Sequence, residues 1–198
     1  PQETRVAIIE NGVLQELAIE RTRNRGLVGN VYLGKISRVL PGMGAAFLDI
    51  GLERTAFLHV SDIAAANRRA AESGQPVSIE QAVREGETLV VQVTKDPLGT
   101  KGARLTTYIS VPSRYLVFMP GSHTVGISQR IEDEHERARL RELILELAPG
   151  LQPADDLEGD QALGRGGDVR ARVGGYIART AAEGVSRAEL AADMAFLD

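Results

Sequence analysis

Between Val28 and Ser110 the chain is cut by glycine into short strand-forming runs, and no other feature narrows the possible folds as much. Val28–Leu40 is a long strand candidate and Pro41-Gly42-Met43-Gly44 a turn. Ala45–Ile50 and Thr55–Val60 are strands around a turn at Gly51, and Ser61-Asp62-Ile63 opens a helical turn. A polar, alanine-rich excursion covers Ala64–Glu80. Then Glu85-Gly86 turns the chain, Thr88–Thr94 is a strand, Asp96-Pro97-Leu98-Gly99 a loop and Arg104–Ser110 the final strand. Five such strands bent at glycines predict a small OB-type barrel over residues 28–110.

The flanks follow other patterns. Arg5–Ile9 is apolar and strand-like, Glu10-Asn11-Gly12 signals a tight turn, and Val13–Ile19 alternates, which predicts a β-hairpin. Arg21–Gly26 follows as a basic connector. After Pro112, Tyr115–Met119 is a buried strand candidate, and Glu132–Leu147 predicts a helix with Leu140, Leu143, Ile144 and Leu147 along one face. Acids crowd its first turn, and Arg137, Arg139 and Arg141 come later, as the helix dipole prefers. Pro149–Asp168, rich in Gly, Pro and Asp, reads as a flexible loop. Gly174–Ala178 returns as a strand, and Ser186-Arg187-Ala188-Glu189 is a capping box opening a last helix, with Val185 set to staple onto Leu190. Neither flank is long enough to bury a core alone. The expected architecture is therefore α+β, a five-stranded barrel inserted into one α/β subdomain made of residues 1–27 and 111–198.

Composition sets the broad class. The 198 residues hold one substantial domain or two small ones, and 43% apolar content is that of an ordinary globule. There is no apolar run of about 18 residues and no basic-then-apolar leader, so a cytoplasmic chain without a membrane partner is expected. Cysteine is absent, which removes disulfides and thiolate chemistry and leaves His59, His123 and His135 as the only imidazoles. The net charge of −4 is unevenly spread. Residues 1–131 carry 15 Lys and Arg against 12 Asp and Glu, giving +3, and residues 132–198 carry 8 against 15, giving −7. A phosphate backbone belongs on the first part.

With four Phe, four Tyr and no Trp, each exposed aromatic is informative. Phe47 lies in Gly44-Ala45-Ala46-Phe47-Leu48-Asp49-Ile50-Gly51 and Phe57 in Thr55-Ala56-Phe57-Leu58-His59-Val60-Ser61-Asp62-Ile63. Together these stretches resemble the central signature of S1 RNA-binding domains. Unstacked bases offer π-faces to such rings, at about 1–3 kcal/mol per base, and nearby cations neutralise phosphates. Phe47 and Phe57 are therefore candidate stacking residues, and Lys35, Lys95, Lys101 and His59 candidate backbone contacts. The competing possibilities are that the two rings fill the barrel core and that His59 is a hydrogen-bonded structural residue. Asp49 and Asp62 read as turn residues, and no cluster of three or four carboxylates suits a two-metal centre. Gly29-x4-Gly34-Lys35 imitates a phosphate-binding loop, but Ile36 replaces the required Ser or Thr and Val31-Tyr32-Leu33 reads as strand, so no nucleotide cofactor is expected.

Further motifs extend the resemblance along the chain. Glu3-Thr4-Arg5-Val6-Ala7, Gly29–Lys35, Arg38–Met43, Lys95–Thr107, Pro112–Gly121 and Ile177–Val185 are similar, in order, to the N-terminal part of the ribonuclease E/G family, nearer its G than its E branch. The match omits Ala65–Ser78 and Leu151–Asp168. The resemblance implies an endoribonuclease of rRNA processing and mRNA decay that cuts single-stranded RNA with Mg²⁺, prefers a 5′-monophosphate and forms homo-oligomers. It also implies an S1 domain inserted in an RNase H-like subdomain, then a 5′-sensor whose Arg-Thr pair matches Arg179 and Thr180, with Val117 and Ser113 lining the pocket. Ser113 stands where ribonuclease E-like members have glycine, and the Gly/Pro/Asp insertion precedes the Arg-Thr pair.

The family's catalytic aspartates and its zinc-linking cysteines lie further downstream. No catalytic residue, no metal ligand and no cofactor are therefore assigned to this stretch, which is expected to bind RNA but not to cleave it alone. The alternatives are a stand-alone S1 adaptor of the translation machinery and a piece that chiefly supports assembly.

Overall fold

Positive φ angles at Asn11 (52°) and Gly12 (77°) fold β1 (Glu3–Glu10) back onto β2 (Val13–Arg21), the turn that an Asn-Gly pair favours because its twist matches the strands. The computed structural model describes residues 2–21, 26–153 and 174–197. Within it β1 and β2 form a two-stranded sheet that joins neither of the other two sheets. Val6, Ile8, Leu17 and Ile19 stay exposed on it. The expected subdomain of residues 1–27 and 111–198 thus has no strand pairing between its two parts among the described residues.

The barrel closes as expected. Strands β3 (Val31–Leu40), β4 (Ala45–Asp49), β5 (Ala56–His59), β6 (Thr88–Lys95) and β7 (Arg104–Thr106) run in the order β3-β4-β5-β7-β6, with β6 returning to β3. Only the β5–β7 pair is parallel. Ile36, Leu48, Leu58, Val91, Val93 and Leu105 fill the interior, each such side chain contributing roughly 1.5–3 kcal/mol on burial. The alanine-rich excursion is helical, α1 (Ala64–Ser73) and α2 (Ile79–Ala82), and packs onto this core through Ala66 and Ile79. The last strand stops at Thr106, short of Ser110, because Thr107 turns back to bond Asp62. β3 contains Gly34 and Lys35, so the apparent phosphate loop is strand.

Gln92 closes the seam. It is 6% exposed; its side-chain amide donates to the carbonyls of Gly29 (2.9 Å) and Ser110 (2.8 Å), and its oxygen accepts from the Ser110 amide (2.8 Å). The chain thereby enters and leaves the barrel at one side chain.

A second lobe follows. Strands β8 (Val111–Pro112), β9 (Leu116–Pro120), β10 (Thr124–Ile127), β11 (Gln152–Pro153) and β12 (Gly174–Ala178) form a sheet of order β11-β10-β12-β9-β8. Helices α3 (Glu134–Leu147) and α4 (Arg187–Leu197) bury Leu140, Ile144, Leu190 and Met194 in one cluster with Leu116, Val125 and Tyr176. Leu143 and Leu147 sit at its margin. Asp133 caps α3 through the His135 amide (2.8 Å), so the helix begins two residues later than Glu132. The capping box of α4 forms, Ser186 and Glu189 bonding reciprocally, and holds the Glu189 carboxyl below its ordinary value. Of the predicted loop, Gln152 and Pro153 pair with β10, while residues 154–168 lie outside the described residues, as do 22–25 of the basic connector.

Candidate nucleic-acid interface

Alternation on β4 and β5 decides where the aromatics go. Ala46, Leu48, Ala56 and Leu58 point inward and are fully buried, so Phe47 and Phe57 must point outward. Neither ring belongs to the barrel core. The two are direct cross-strand partners, with ring centroids 6.1 Å apart at 67°, an edge-to-face pair worth about 0.5–1.5 kcal/mol beyond burial. Half-buried and mutually braced, they form a fixed platform on the outer wall.

Strand register extends that platform sideways. Arg38 of β3 lies opposite Phe47, Arg104 of β7 opposite Phe57, and Lys95 of β6 opposite Arg104. One transverse row therefore reads Arg38, Phe47, Phe57, Arg104, Lys95, with the three cations exposed. Two β-bulges create it. One between Ile36 and Arg38 and one between Val93 and Lys95 shift the pairing, so each cation faces outward although it follows an inward residue by two. Sequence reading pointed to the Lys95–Thr107 segment, with its two lysines and Arg104, but not to Arg38; periodicity alone assigns Arg38 to the interior.

The remaining predicted residues are placed as follows. Lys35 is exposed, opposite Asp49 and Thr88, at the edge of the same face. Lys101 is exposed on the tight loop that closes against Leu98. Next to it Gly102 is obligatory, since a Cβ there would lie 1.9 Å from the Thr55 carbonyl oxygen. That contact lets the loop lean on the start of β5, where the Phe57 amide donates to the Ala103 carbonyl (2.8 Å). His59 Nδ1 accepts from the Ser61 amide (3.2 Å) and caps the short helical turn Val60–Asp62, the structural role that competed with RNA contact. Asp49 accepts from the Gly51 amide (2.9 Å), and the Asp62 carboxylate pairs with Arg104 at 3.0 Å, so both act in turns and pairs.

A second constellation forms in the other lobe. Arg179 follows β12 directly, and its amide donates to the Tyr115 carbonyl (2.8 Å) while its guanidinium donates to the Ser113 carbonyl. Val117 is half-buried on β9 opposite Ile177, two residues from Arg179. The Thr180 hydroxyl lies 3.4 Å from that of Ser128. Arg179 and Thr180 are exposed. The structure thus brings Arg179, Ser113 and Val117 to one end of the β9–β12 pair, with Thr180 beside them. Asp193 of α4, missed in the sequence, accepts there from Ser113, Tyr115 and Leu116. Among the described residues no three His, Asp or Glu side chains converge to hold a metal ion, and no helix is long and apolar enough to cross a membrane.

Comparison with known proteins agrees with this arrangement. Residues 27–107 match the S1 RNA binding domain and residues 110–198 the Ribonuclease E/G family. Over 201 aligned positions and 100% of its length the chain is 53% identical to ribonuclease G of Escherichia coli and 50% identical to ribonuclease G of Haemophilus influenzae. It spans 37% and 36% of those proteins. Ribonuclease E of Nostoc is 38% identical over 77% of the chain, which spans 22% of that protein. With an outward aromatic platform on an S1 barrel and a following lobe that matches the family along its whole length, the chain belongs to the ribonuclease E/G family.

Proposed function

We propose that this chain is the N-terminal RNA-binding part of a ribonuclease G-like endoribonuclease of rRNA processing and mRNA decay. The barrel, residues 28–110, lays single-stranded RNA across Phe47 and Phe57, with Arg38, Arg104, Lys95, Lys35 and Lys101 meeting phosphates and His59 at the margin. Arg179 and Thr180 meet a 5′-terminal monophosphate, with Ser113 and Val117 walling the pocket through their backbone: a guanidinium fork binds such a group bidentately and a hydroxyl adds a donor. The parent enzyme is proposed to be a cytoplasmic homo-oligomer. Its Mg²⁺ and its structural Zn²⁺ are assigned to residues outside this stretch, because the carboxylates and imidazoles described do not converge and cysteine is absent. No hydrolytic role is assigned to the described residues in this reading, and the chain alone is expected not to cleave RNA.

The observation carrying the reading is the outward Phe47–Phe57 pair set between Arg38 and Arg104. Replacing both rings by alanine is expected to weaken binding of a short unstructured RNA by at least about tenfold, since stacking contributes about 1–3 kcal/mol per base. Fluorescence anisotropy reads the affinity and circular dichroism the fold. Equal affinity in the folded double variant rejects the stacking role. The adaptor alternative has less support, because residues 110–198 match a nuclease family.

A further inference from the structure

The turn that carries Ser113 is held from two sides. On one side is Arg179, whose guanidinium donates to the Ser113 carbonyl and whose amide donates to the Tyr115 carbonyl (2.8 Å). On the other is Asp193. A single oxygen of its carboxylate, Oδ2, accepts from the Ser113 hydroxyl and, at 3.0 Å each, from the amides of Tyr115 and Leu116. The turn itself closes through the Ser113 amide and the Leu116 carbonyl (2.8 Å). Asp193 cannot drift, because its neighbours Leu190 and Met194 anchor α4 in the core.

We infer that Asp193 is a positioning residue for the 5′-phosphate pocket, bracing the Ser113–Leu116 turn so that Arg179 presents its guanidinium in a fixed orientation. This rests on the assignment of Arg179 to the 5′ end. The physical case has two parts. Bidentate recognition depends on the plane of the guanidinium, and Arg179 is tethered through a carbonyl that belongs to the braced turn. A carboxylate near an anion pocket also opposes phosphate binding electrostatically, so Asp193 helps only through the three donors it satisfies; unpaired, the amides of half-buried Tyr115 and buried Leu116 are costly. Those donors are spent on Asp193, which leaves the phosphate to the Arg179 and Thr180 side.

The test compares binding of this chain to one short RNA carrying either a 5′-monophosphate or a 5′-hydroxyl, read as the ratio of the two affinities. In Asp193→Asn the preference for the monophosphate is expected to fall on the order of fivefold to tenfold, while 5′-hydroxyl RNA, held by the barrel, serves as the internal reference. A folded Asp193→Asn chain that keeps the wild-type ratio, or binds the monophosphate more tightly, overturns the inference. Should that variant fail to fold, Ser113→Ala, which removes one of the three donors, is expected to lose part of the preference, and full retention counts against the brace. Arg179→Ala separates the two levels. If it retains the preference, or if the wild-type chain has none, the 5′-end reading fails and the inference with it; if it loses the preference while Asp193→Asn keeps it, only the brace is wrong.

Discussion

Arg104 already faces one anion, and the proposed RNA path would bring it a second. Its partner Asp62 is 3.0 Å away, with the guanidinium side chain 45% exposed. Such a pair is worth at most about 1 kcal/mol, so a phosphate beside Phe57 can compete for the same fork. Arg104→Ala is accordingly expected to lower the dependence of RNA affinity on salt, reducing the slope of log K against log salt by about 0.7, the value for one single-strand phosphate contact. A potassium chloride series measures it, and an unaltered slope removes Arg104 from the interface. The rings were singled out by their likeness to the S1 signature; alternation alone could not place them, because apolar residues occupy both faces of β4 and β5, and only the burial of Ala46, Leu48, Ala56 and Leu58 shows which side is the core. Arg38 was not. It follows the buried Ile36 by two residues, and only the bulge turns it outward, a consequence of pairing with β4 that no single strand reveals. Arg179 and Thr180 were singled out by motif, whereas Asp193, which holds the turn beside them and lies 80 positions along the chain from Ser113, has no local signal at all.

Among the elements, α3 is the best supported. Its Glu136 carboxylate bonds Arg139 (2.6 Å) and accepts the Gly184 amide (2.8 Å), while Arg139 donates to the Val185 carbonyl (3.0 Å). This clip ties α3 to the turn before α4. The hydrogen bond from Arg139 holds the Glu136 carboxyl below its ordinary value against the opposing effect of burial, with the Gly184 amide adding to the lowering, and it raises Arg139 in turn. A depressed carboxyl stabilises the folded state above the unfolded value of about 4.3 and loses that contribution as pH falls through the lower folded value. Glu136→Gln is therefore expected to be less stable than wild type at neutral pH and to show a shallower loss of stability below about pH 4. Parallel acid-dependent melting curves for the two proteins contradict this. α3 was legible because its apolar face repeats at helical spacing. α1 was not, since Ala66 is its only buried residue and alanine marks no face. β10 escaped for another reason: four residues after a turn give too short an alternation, and its strand character comes from lying between β11 and β12.

In the molecule as a whole, two cores are built from contiguous stretches, one in the barrel and one under α3 and α4. The sequence pattern located the barrel core, but it held residues 111–198 too short to bury a core without the N-terminal hairpin; that lobe has a core of its own, and β1 and β2 pair only with each other. Hydropathy marks a strand as apolar without naming its neighbour. At the seam of the barrel, Gln92→Leu leaves the Gly29 and Ser110 carbonyls and the Ser110 amide without their partners, and a loss of about 2–4 kcal/mol in unfolding free energy is expected from denaturant melts. A change within about 0.5 kcal/mol, the range of ordinary surface substitutions, refutes the importance of that side chain.

That single glutamine also makes the RNA-holding unit transplantable. Because both its ends depart from one point, the barrel has the end-to-end closeness that lets a domain be set into a loop of another scaffold with little displacement of that scaffold.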